Sequence, residues 1–208
     1  MEALQRLGAM HAASFASDPK HLGFVLARYH FVARMLQGKR CALEVGCGDG
    51  TGARIVKATG IDLYGIDREP QPDYPGPFAQ KDIIKDGESL IHLAWHGLDN
   101  GMDAVFALDV MEHIDVLQEN AFIGNMKFFL RDDNGVCIIG MPSKESQPYA
   151  SELSRKYHVN CKTEDELRAT MQQHFANVFM FGMQDATLHT GFGPMTHYRL
   201  ALCTGKRE

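Results

Sequence analysis

The fold is decided by the stretch ALEVGCGDGTG, residues Ala42–Gly52. An apolar strand ends there in a glycine-rich turn, and the turn opens into a helix. Glycines at alternate positions remove side chains where the backbone must approach a ligand closely, and the helix start supplies free N–H groups. Glu44 lies inside the strand, where a carboxylate repels a pyrophosphate and suits a ligand with a cationic or amine group. The pattern therefore argues against a dinucleotide site.

Three more motifs follow this stretch in the chain. Leu63–Asp67 is a second strand that ends in an acid, 23 residues after Glu44. Phe78–Ile83 contains a third strand end with an Asp, and Met102–Ile114 contains a buried strand with a polar loop after it. In this order and spacing, the four motifs resemble those of the class I S-adenosylmethionine-dependent methyltransferases, from about residue 38 to the C-terminus.

The resemblance implies S-adenosylmethionine as the cofactor, with S-adenosylhomocysteine as the product, and assigns its contacts. The glycine loop passes under the aminocarboxypropyl end, and Asp67 accepts both ribose hydroxyls, for which a carboxylate is well shaped. Asp82 meets the adenine amine and Ile83 packs on the ring. The residues expected to bind the cofactor are Glu44, Gly46, Cys47, Gly48, Asp67, Arg68, Asp82, Ile83, Leu108 and Asp109.

Strands alternate with helices along the chain, which predicts an α/β fold. We expect a Rossmann-like, doubly wound, mostly parallel seven-stranded sheet with an antiparallel last strand and helices on both faces. Residues 1–37 are predicted to form a helical arm that covers the site, and residues 38–208 the methyltransferase domain. Four prolines between residues 70 and 77 exclude a regular crossover helix after the second strand.

Other elements follow from local patterns. Apolar residues within His21–Leu36 have the spacing of a helix, and Glu88–His96 is predicted as a short helix. Val116–Leu130 shows a further apolar helix stripe. A capping box at Thr163–Glu166 begins a helix near the C-terminus. Two strands, Val178–Met183 and His197–Cys203, are expected to close the sheet.

Composition restricts the partners and the compartment. The 208 residues carry a formal charge of −5, which disfavours a nucleic-acid partner, and no apolar run is long enough to cross a membrane. The five cysteines are scattered without zinc spacing, and Cys41, Cys137 and Cys203 fall in predicted strands. We therefore expect buried, reduced thiols and a cytoplasmic protein.

Methyl transfer from a sulfonium is an in-line displacement, so the protein must align the acceptor and, for a hydroxyl, remove a proton. His113 is the candidate base because it follows the fourth strand and an imidazole titrates near neutrality. The alternative is that His113 only packs beneath the cofactor. The Glu112-His113 pair resembles the Glu-His pair found at this place in small-molecule methyltransferases, including those of ubiquinone biosynthesis.

The segment Asp109-x-x-Glu112-His113 is also similar to a metal-binding E-x-x-E-H pattern of some ubiquinone O-methyltransferases. Two carboxylates and an imidazole suit a hard divalent ion. The first Glu is replaced here by the shorter Asp109, so we predict no metal site and keep a divalent ion at these residues as the alternative.

The C-terminal third contains two polar segments, Tyr157–Asn160 and Leu188–Tyr198. Both are similar to segments of uncharacterised methyltransferase-like proteins encoded near surface-polysaccharide genes. The second segment either presents polar and aromatic groups to an acceptor or is a plain connector. The candidate substrate-binding residues are Glu112, His158, His189 and Tyr198.

We therefore predict methylation of a hydroxyl or amine on a sugar or sugar-bearing small molecule. Two alternatives remain: an O-methyltransferase of a quinone or phenol, and a non-catalytic subunit that binds S-adenosylmethionine. The oligomeric state is left open.

Overall fold

The computed structural model describes residues 6–87 and 101–207. The strands are β1 (Cys41–Val45), β2 (Asp62–Asp67), β3 (Phe78–Gln80), β4 (Ala104–Leu108), β5 (Val136–Pro142), β6 (Phe175–Gln184), β7 (Thr187–His189) and β8 (Tyr198–Lys206). The helices are α1 (Ala9–Ser17), α2 (Pro19–Met35), α3 (Ala53–Lys57), α4 (Glu119–Phe128), α5 (Glu152–Tyr157) and α6 (Glu164–Gln172).

All eight strands form one sheet in the order β3-β2-β1-β4-β5-β8-β6-β7. The five strands from β3 to β5 in this order are parallel, and β8 runs antiparallel to both β5 and β6. The predicted Rossmann-like α/β fold is confirmed. One strand is added to the expected seven, because the chain turns at Asp185 and residues Thr187–His189 pair with β6. This strand overlaps the start of the segment Leu188–Tyr198, for which we predicted no strand before residue 197. A three-residue strand is too short to leave an alternating pattern in the sequence.

Helices cover both faces of the sheet, and each face has its own core. In β4, Val105 and Ala107 point to the core that contains α4 and α6. Phe106 and Leu108 point to the opposite core, which contains α2 and α3. Side chains of a strand alternate between faces, so a strand covered on both sides is apolar throughout, as the β4 sequence is.

The N-terminal helices lie against the sheet. Asp18 caps α2 by accepting the Lys20 N–H, and Pro19 occupies the first turn, where its missing N–H has no cost. Tyr29 and Val32 of α2 are buried in the core of this face. The helix predicted over His21–Leu36 is therefore present.

The connection from β2 to β3 contains no helix, in agreement with its prolines. Tyr74, in the middle of this connection, is buried and its ring lies against Gly65 of β2. The helix predicted over Glu88–His96 lies outside the described residues.

The remaining predicted elements are present with small shifts of their ends. The capping box of α6 has both of its hydrogen bonds, between Thr163 and Glu166. The apolar stripe over Val116–Leu130 begins with a short 3₁₀ turn before α4. Within the described residues, no helix is long and apolar enough to cross a membrane.

Gly52 offers a test of packing between α2 and the glycine loop. A Cβ at Gly52 would overlap the ring of Tyr29, whereas a Cβ at Gly124 of α4 meets nothing within 4 Å. We expect Gly52→Ala to lower the free energy of unfolding by about 1–3 kcal/mol through overpacking. The matched control Gly124→Ala should raise it by roughly 0.5–1 kcal/mol, because alanine favours a helix. Urea denaturation of both variants measures the difference, and equal stability of the two would contradict the close packing.

Candidate active site

The glycine loop leaves β1 in a conformation that only glycine adopts easily. Gly46 has φ +69°, its N–H donates to the Ile66 carbonyl at 2.8 Å, and a Cβ there would overlap Val110. Gly48 has φ +52°, and a Cβ on it would project into open space. The loop thus offers backbone without side chains at the carboxyl ends of the parallel strands, where ligands bind in doubly wound folds. These features fit a bound cofactor.

Glu44 lies beneath this loop and is 1% exposed. Its two carboxyl oxygens accept hydrogen bonds from the hydroxyls of Tyr29, at 2.8 Å, and Tyr74, at 3.1 Å. Burial raises the pKa of Glu44 to about 8, although the two tyrosine hydrogen bonds oppose this shift. Glu44 therefore joins α2 and the β2–β3 connection to β1. Its direct contact with the cofactor stays a prediction.

The two acids predicted to bind the nucleoside part follow β2 and β3. Asp67 Oδ2 accepts the N–H of Gly48 at 2.9 Å, so the carboxylate lies against the glycine loop. Asp82 Oδ1 accepts the N–H of Ile84 at 2.9 Å and closes a turn after β3. Ile83 is buried next to it. Arg68 is exposed, and Cys47 is buried beneath the loop.

The end of β4 is tied to the N-terminal cover by an ion pair. Asp109 follows the buried Leu108 and has φ +57°, an uncommon conformation for a residue with a side chain. Its carboxylate accepts from Nη1 of Arg28, with distances of 2.8 and 2.6 Å to the two oxygens. Burial opposes the charge of Arg28, but Asp109 raises the pKa of the guanidinium overall. The guanidinium lies 3.8 Å from the ring centroid of Tyr198, so the pair is also stacked.

A second group of polar side chains lies in the turn after Asp109. Glu112 and His113 belong to a 3₁₀ turn, Met111–His113, and His158 follows α5. The backbone carbonyl of Glu112 accepts the N–H groups of Val159 and Asn160, at 2.8 and 3.0 Å. These bonds place the rings of His113 and His158 edge to face, with centroids 5.1 Å apart. The structure therefore brings His158 to the adjacent pair Glu112 and His113, which the sequence did not connect with it.

The charge states of this group depend on burial. Burial raises the pKa of Glu112 well above its ordinary value, and the neighbouring carboxylate of Asp109 raises it further. Burial lowers the pKa of His158, and His113 lowers it further. His113 is 43% exposed, so this imidazole is open to an acceptor.

The other two candidate substrate residues lie elsewhere. Tyr198 begins β8 and is buried below Arg28, and its hydroxyl has no hydrogen-bond partner among the described residues. His189 lies in β7 beside Gly182, where its Nδ1 accepts the Gly191 N–H at 3.2 Å. His189 is thus placed at the antiparallel end of the sheet, away from β4 in strand order.

The N-terminal arm docks on the glycine loop through Asp49. Its carboxylate accepts from the Gly8 N–H at 2.6 Å and from His11 at 2.8 Å, both through Oδ2. The hydrogen bond to Asp49 raises the pKa of His11 in spite of burial. Burial opposes ionisation of Asp49, but the bonds from His11 and the backbone N–H groups of Thr51 and Gly8 hold its pKa below the ordinary range.

Sequence reasoning missed several residues that build the site. Arg28 and Tyr29 lie in a helix that the sequence predicts from its apolar positions alone. Tyr74 lay in a segment that was interpreted only for its prolines, and Asp49 stood in the glycine motif without a role. An acid inside a buried strand, such as Glu44, needs hydrogen-bond partners, and this signal could have prompted a search for donors elsewhere in the chain.

Comparison with known proteins identifies the family of the chain. A family model described as a methyltransferase domain matches residues 20–177, and the chain belongs to this family. No curated protein matches the chain significantly.

Solved structures share the fold at low identity. A SAM-dependent methyltransferase from Archaeoglobus fulgidus superimposes with a TM-score of 0.69 at 15% identity, covering 96% of this chain and 100% of that one. The methyltransferase domain of bacterial CtHen1-C gives 0.64 at 18% identity, covering 88% and 100%. The N-methyltransferase NodS from Bradyrhizobium japonicum, in complex with S-adenosyl-L-homocysteine, gives 0.58 at 15% identity, covering 90% and 86%.

The protein is therefore a class I methyltransferase, an enzyme whose methyl donor is S-adenosylmethionine. That the glycine loop and the acids after β2 and β3 hold this cofactor stays a prediction.

The arm contact should depend on pH. The folded-state pKa of His11 lies above its ordinary 6.5, so its stabilisation is complete below that pH and is lost as pH rises through the raised value. The pKa of Asp49 lies below its ordinary 3.8, so the stabilisation by its carboxylate is present above that pH and is lost only in stronger acid. We expect the free energy of opening of α1 to be higher at about pH 5.5 than at about pH 8.5, by roughly 0.5–1 kcal/mol. Hydrogen exchange of the α1 amides, corrected for intrinsic rates, measures this difference.

The variant His11→Gln should remove this pH difference. The control His30→Gln changes a histidine on the exposed side of α2 and should preserve it. A pH difference that persists in His11→Gln would assign it to a group other than His11.

Asp67 gives a test of the cofactor site. We expect Asp67→Ala to weaken binding of S-adenosylmethionine by about 1–3 kcal/mol, because ribose hydroxyls would lose a charged acceptor. Asp62→Ala, at the exposed start of the same strand, is the control and should bind normally. Isothermal titration calorimetry measures both, and unchanged affinity in Asp67→Ala would remove Asp67 from the cofactor site.

Proposed function

We propose that this methyltransferase modifies a hydroxyl or amine of a small polar acceptor, a sugar or a sugar-bearing precursor. The observation that carries the proposal is the group Glu112, His113 and His158, which lies directly after β4 and is open to solvent at His113. The exposed imidazole of His113, with the half-buried imidazole of His158 beside it, suits an acceptor rich in hydroxyl groups, since imidazole nitrogens form hydrogen bonds with hydroxyls.

Aromatic residues near this group support a sugar. Tyr149 and Tyr157 are both largely exposed, and they flank the segment that leads to His158. Exposed rings with a polar edge can pack against the apolar face of a sugar while its hydroxyls bind polar groups. Tyr198 and His189 stay candidates for contact with a larger acceptor.

In this proposal each residue has a defined task. S-adenosylmethionine supplies, when bound, a methyl group on a positively charged sulfur. The glycine loop with Asp67 and Asp82 holds the cofactor, and the ion pair of Arg28 with Asp109 closes the cover over β4. His113 Nε2 accepts the proton of an acceptor hydroxyl when no metal ion occupies the site, since its Nδ1 is engaged with the Tyr157 carbonyl. The N-terminal arm, residues 1–37, excludes water from the reacting groups.

A phenol or quinone acceptor is the competing proposal, supported by the adjacency of Glu112 and His113. Incubation with labelled S-adenosylmethionine and panels of sugar nucleotides, free sugars, phenols and a short RNA distinguishes the classes. Methylation of sugars supports the proposal. Methylation of phenols alone would select the competing one, and methylation of RNA would overturn the expectation that no nucleic acid is a partner. We also propose that the enzyme works in the cytoplasm, consistent with its four buried, unpaired cysteines.

His113 can be tested once an acceptor is found. We expect His113→Ala to lower kcat about 10²–10⁴-fold, the range of general-base catalysis, with little change in affinity for S-adenosylmethionine. His197→Ala is the control, because the His197 side chain is 60% exposed and its imidazole pairs with Asp185 and not with the group after β4. Equal turnover in His113→Ala and in the control would leave His113 with a packing role only.

A further inference from the structure

Three donor atoms converge in the turn after β4. Glu112, His113 and His158 each offer one such atom, and these atoms all lie within 4.8 Å of one another. Oε1 of Glu112 is 4.0 Å from Nε2 of His113. Neighbouring donors on one ion lie about 3.0–3.4 Å apart for bonds of about 2.1 Å. The Glu112 and His113 donor atoms must therefore approach by roughly 1 Å to share an ion.

Both imidazoles are oriented by partners that fix their tautomer. Nδ1 of His113 lies 3.0 Å from the Tyr157 carbonyl, and Nδ1 of His158 lies 3.0 Å from Oε1 of Gln147. Both partner atoms only accept hydrogen bonds, so each Nδ1 carries the proton and each Nε2 keeps its lone pair. Metal-binding histidines are characteristically held in this way, with the second nitrogen donating to a carbonyl or carboxylate.

The carboxyl of Glu112 provides an independent observation. This side chain is 1% exposed, and its Oε2 has no hydrogen-bond partner among the described residues. A buried carboxylate without partners is costly, and such groups are normally paired or bound to a metal. A cation between Glu112 and the two imidazoles would satisfy this oxygen.

We propose that Glu112, His113 and His158 bind one divalent transition-metal ion. Two imidazole nitrogens and one carboxylate suit first-row transition metals and zinc, whereas magnesium and calcium prefer oxygen ligands alone. The ligand set differs from the sequence pattern that was considered above. Asp109 is engaged by Arg28, and His158, 45 residues beyond His113, takes the third place.

Three protein ligands leave coordination positions open, as in catalytic metal sites. His113 is 43% exposed, so an acceptor oxygen can reach these positions from solvent. This role of the ion rests on the proposed function, because the ion would bind the acceptor hydroxyl and lower its pKa. His113 then acts as a ligand, and its Nε2 is no longer available as the base.

Metal binding can be measured without any acceptor. We would titrate tag-free protein, first treated with a chelator, with Co²⁺ by visible absorption and with Zn²⁺ by calorimetry. We expect one ion per chain. His158→Gln should weaken binding at least tenfold, and Gln147→Ala should weaken it by roughly 10–100-fold, since it removes only the orienting partner. His30→Gln, on the exposed side of α2, is the control and should bind like the unchanged protein.

The same samples should be titrated with S-adenosylmethionine, which separates this inference from the proposed function. Normal cofactor binding with equal metal affinity in His158→Gln, His30→Gln and the unchanged protein would overturn the metal site and keep the enzyme. Tight metal binding that depends on His158, with no methylation of any acceptor, would support the site and overturn the proposed acceptor class. Activity that is lost with the chelator and restored by Co²⁺ would support a role of the ion in the reaction.

Discussion

The buried carboxyl of Glu44 is the constraint on which the site depends. It lies in β1 below the glycine loop, and its oxygens accept from Tyr29 of α2 and Tyr74 of the β2–β3 connection. Burying a carboxyl group costs free energy unless the group is hydrogen-bonded. The hydroxyls of the two tyrosines must therefore stay in place for Glu44 to remain buried in β1. One side chain thereby holds a covering helix and a loop against the glycine turn, where we expect the cofactor to bind.

The cover is attached to the site by charges as well as by packing. Arg28 reaches from α2 to Asp109 after β4, and His11 reaches from α1 to Asp49 in the glycine loop. Both acids lie at the carboxyl ends of parallel strands, where the cofactor must enter. The guanidinium of Arg28 is more buried than the imidazole of His11, and it is stacked on the ring of Tyr198. The His11 pair, by contrast, contains an imidazole, a group that titrates near neutrality. The contact between α1 and the glycine loop is therefore the part of the cover that responds to pH.

Much of the fold could be predicted because the deciding signals are local. The alternation of apolar strands with glycine or acidic turns placed β1, β2 and β4, and the capping box placed α6. The prolines excluded a helix between β2 and β3 because proline lacks an N–H and clashes inside a helix. β7 was not predicted because three residues carry no periodicity, and its pairing depends on β6 being next to it.

The class of the enzyme, its cofactor and the strands that end in acids could be identified from the chain alone, because they depend on motifs with a set spacing. Which polar residues meet depends instead on how the helices and strands pack. Arg28 was brought to Asp109 by a helix that packs across the sheet, and His158 was brought to Glu112 and His113 by backbone bonds from residues 159 and 160. These contacts join residues that are far apart in the chain. How far apart two residues are in the sequence does not determine how close they lie in the folded protein.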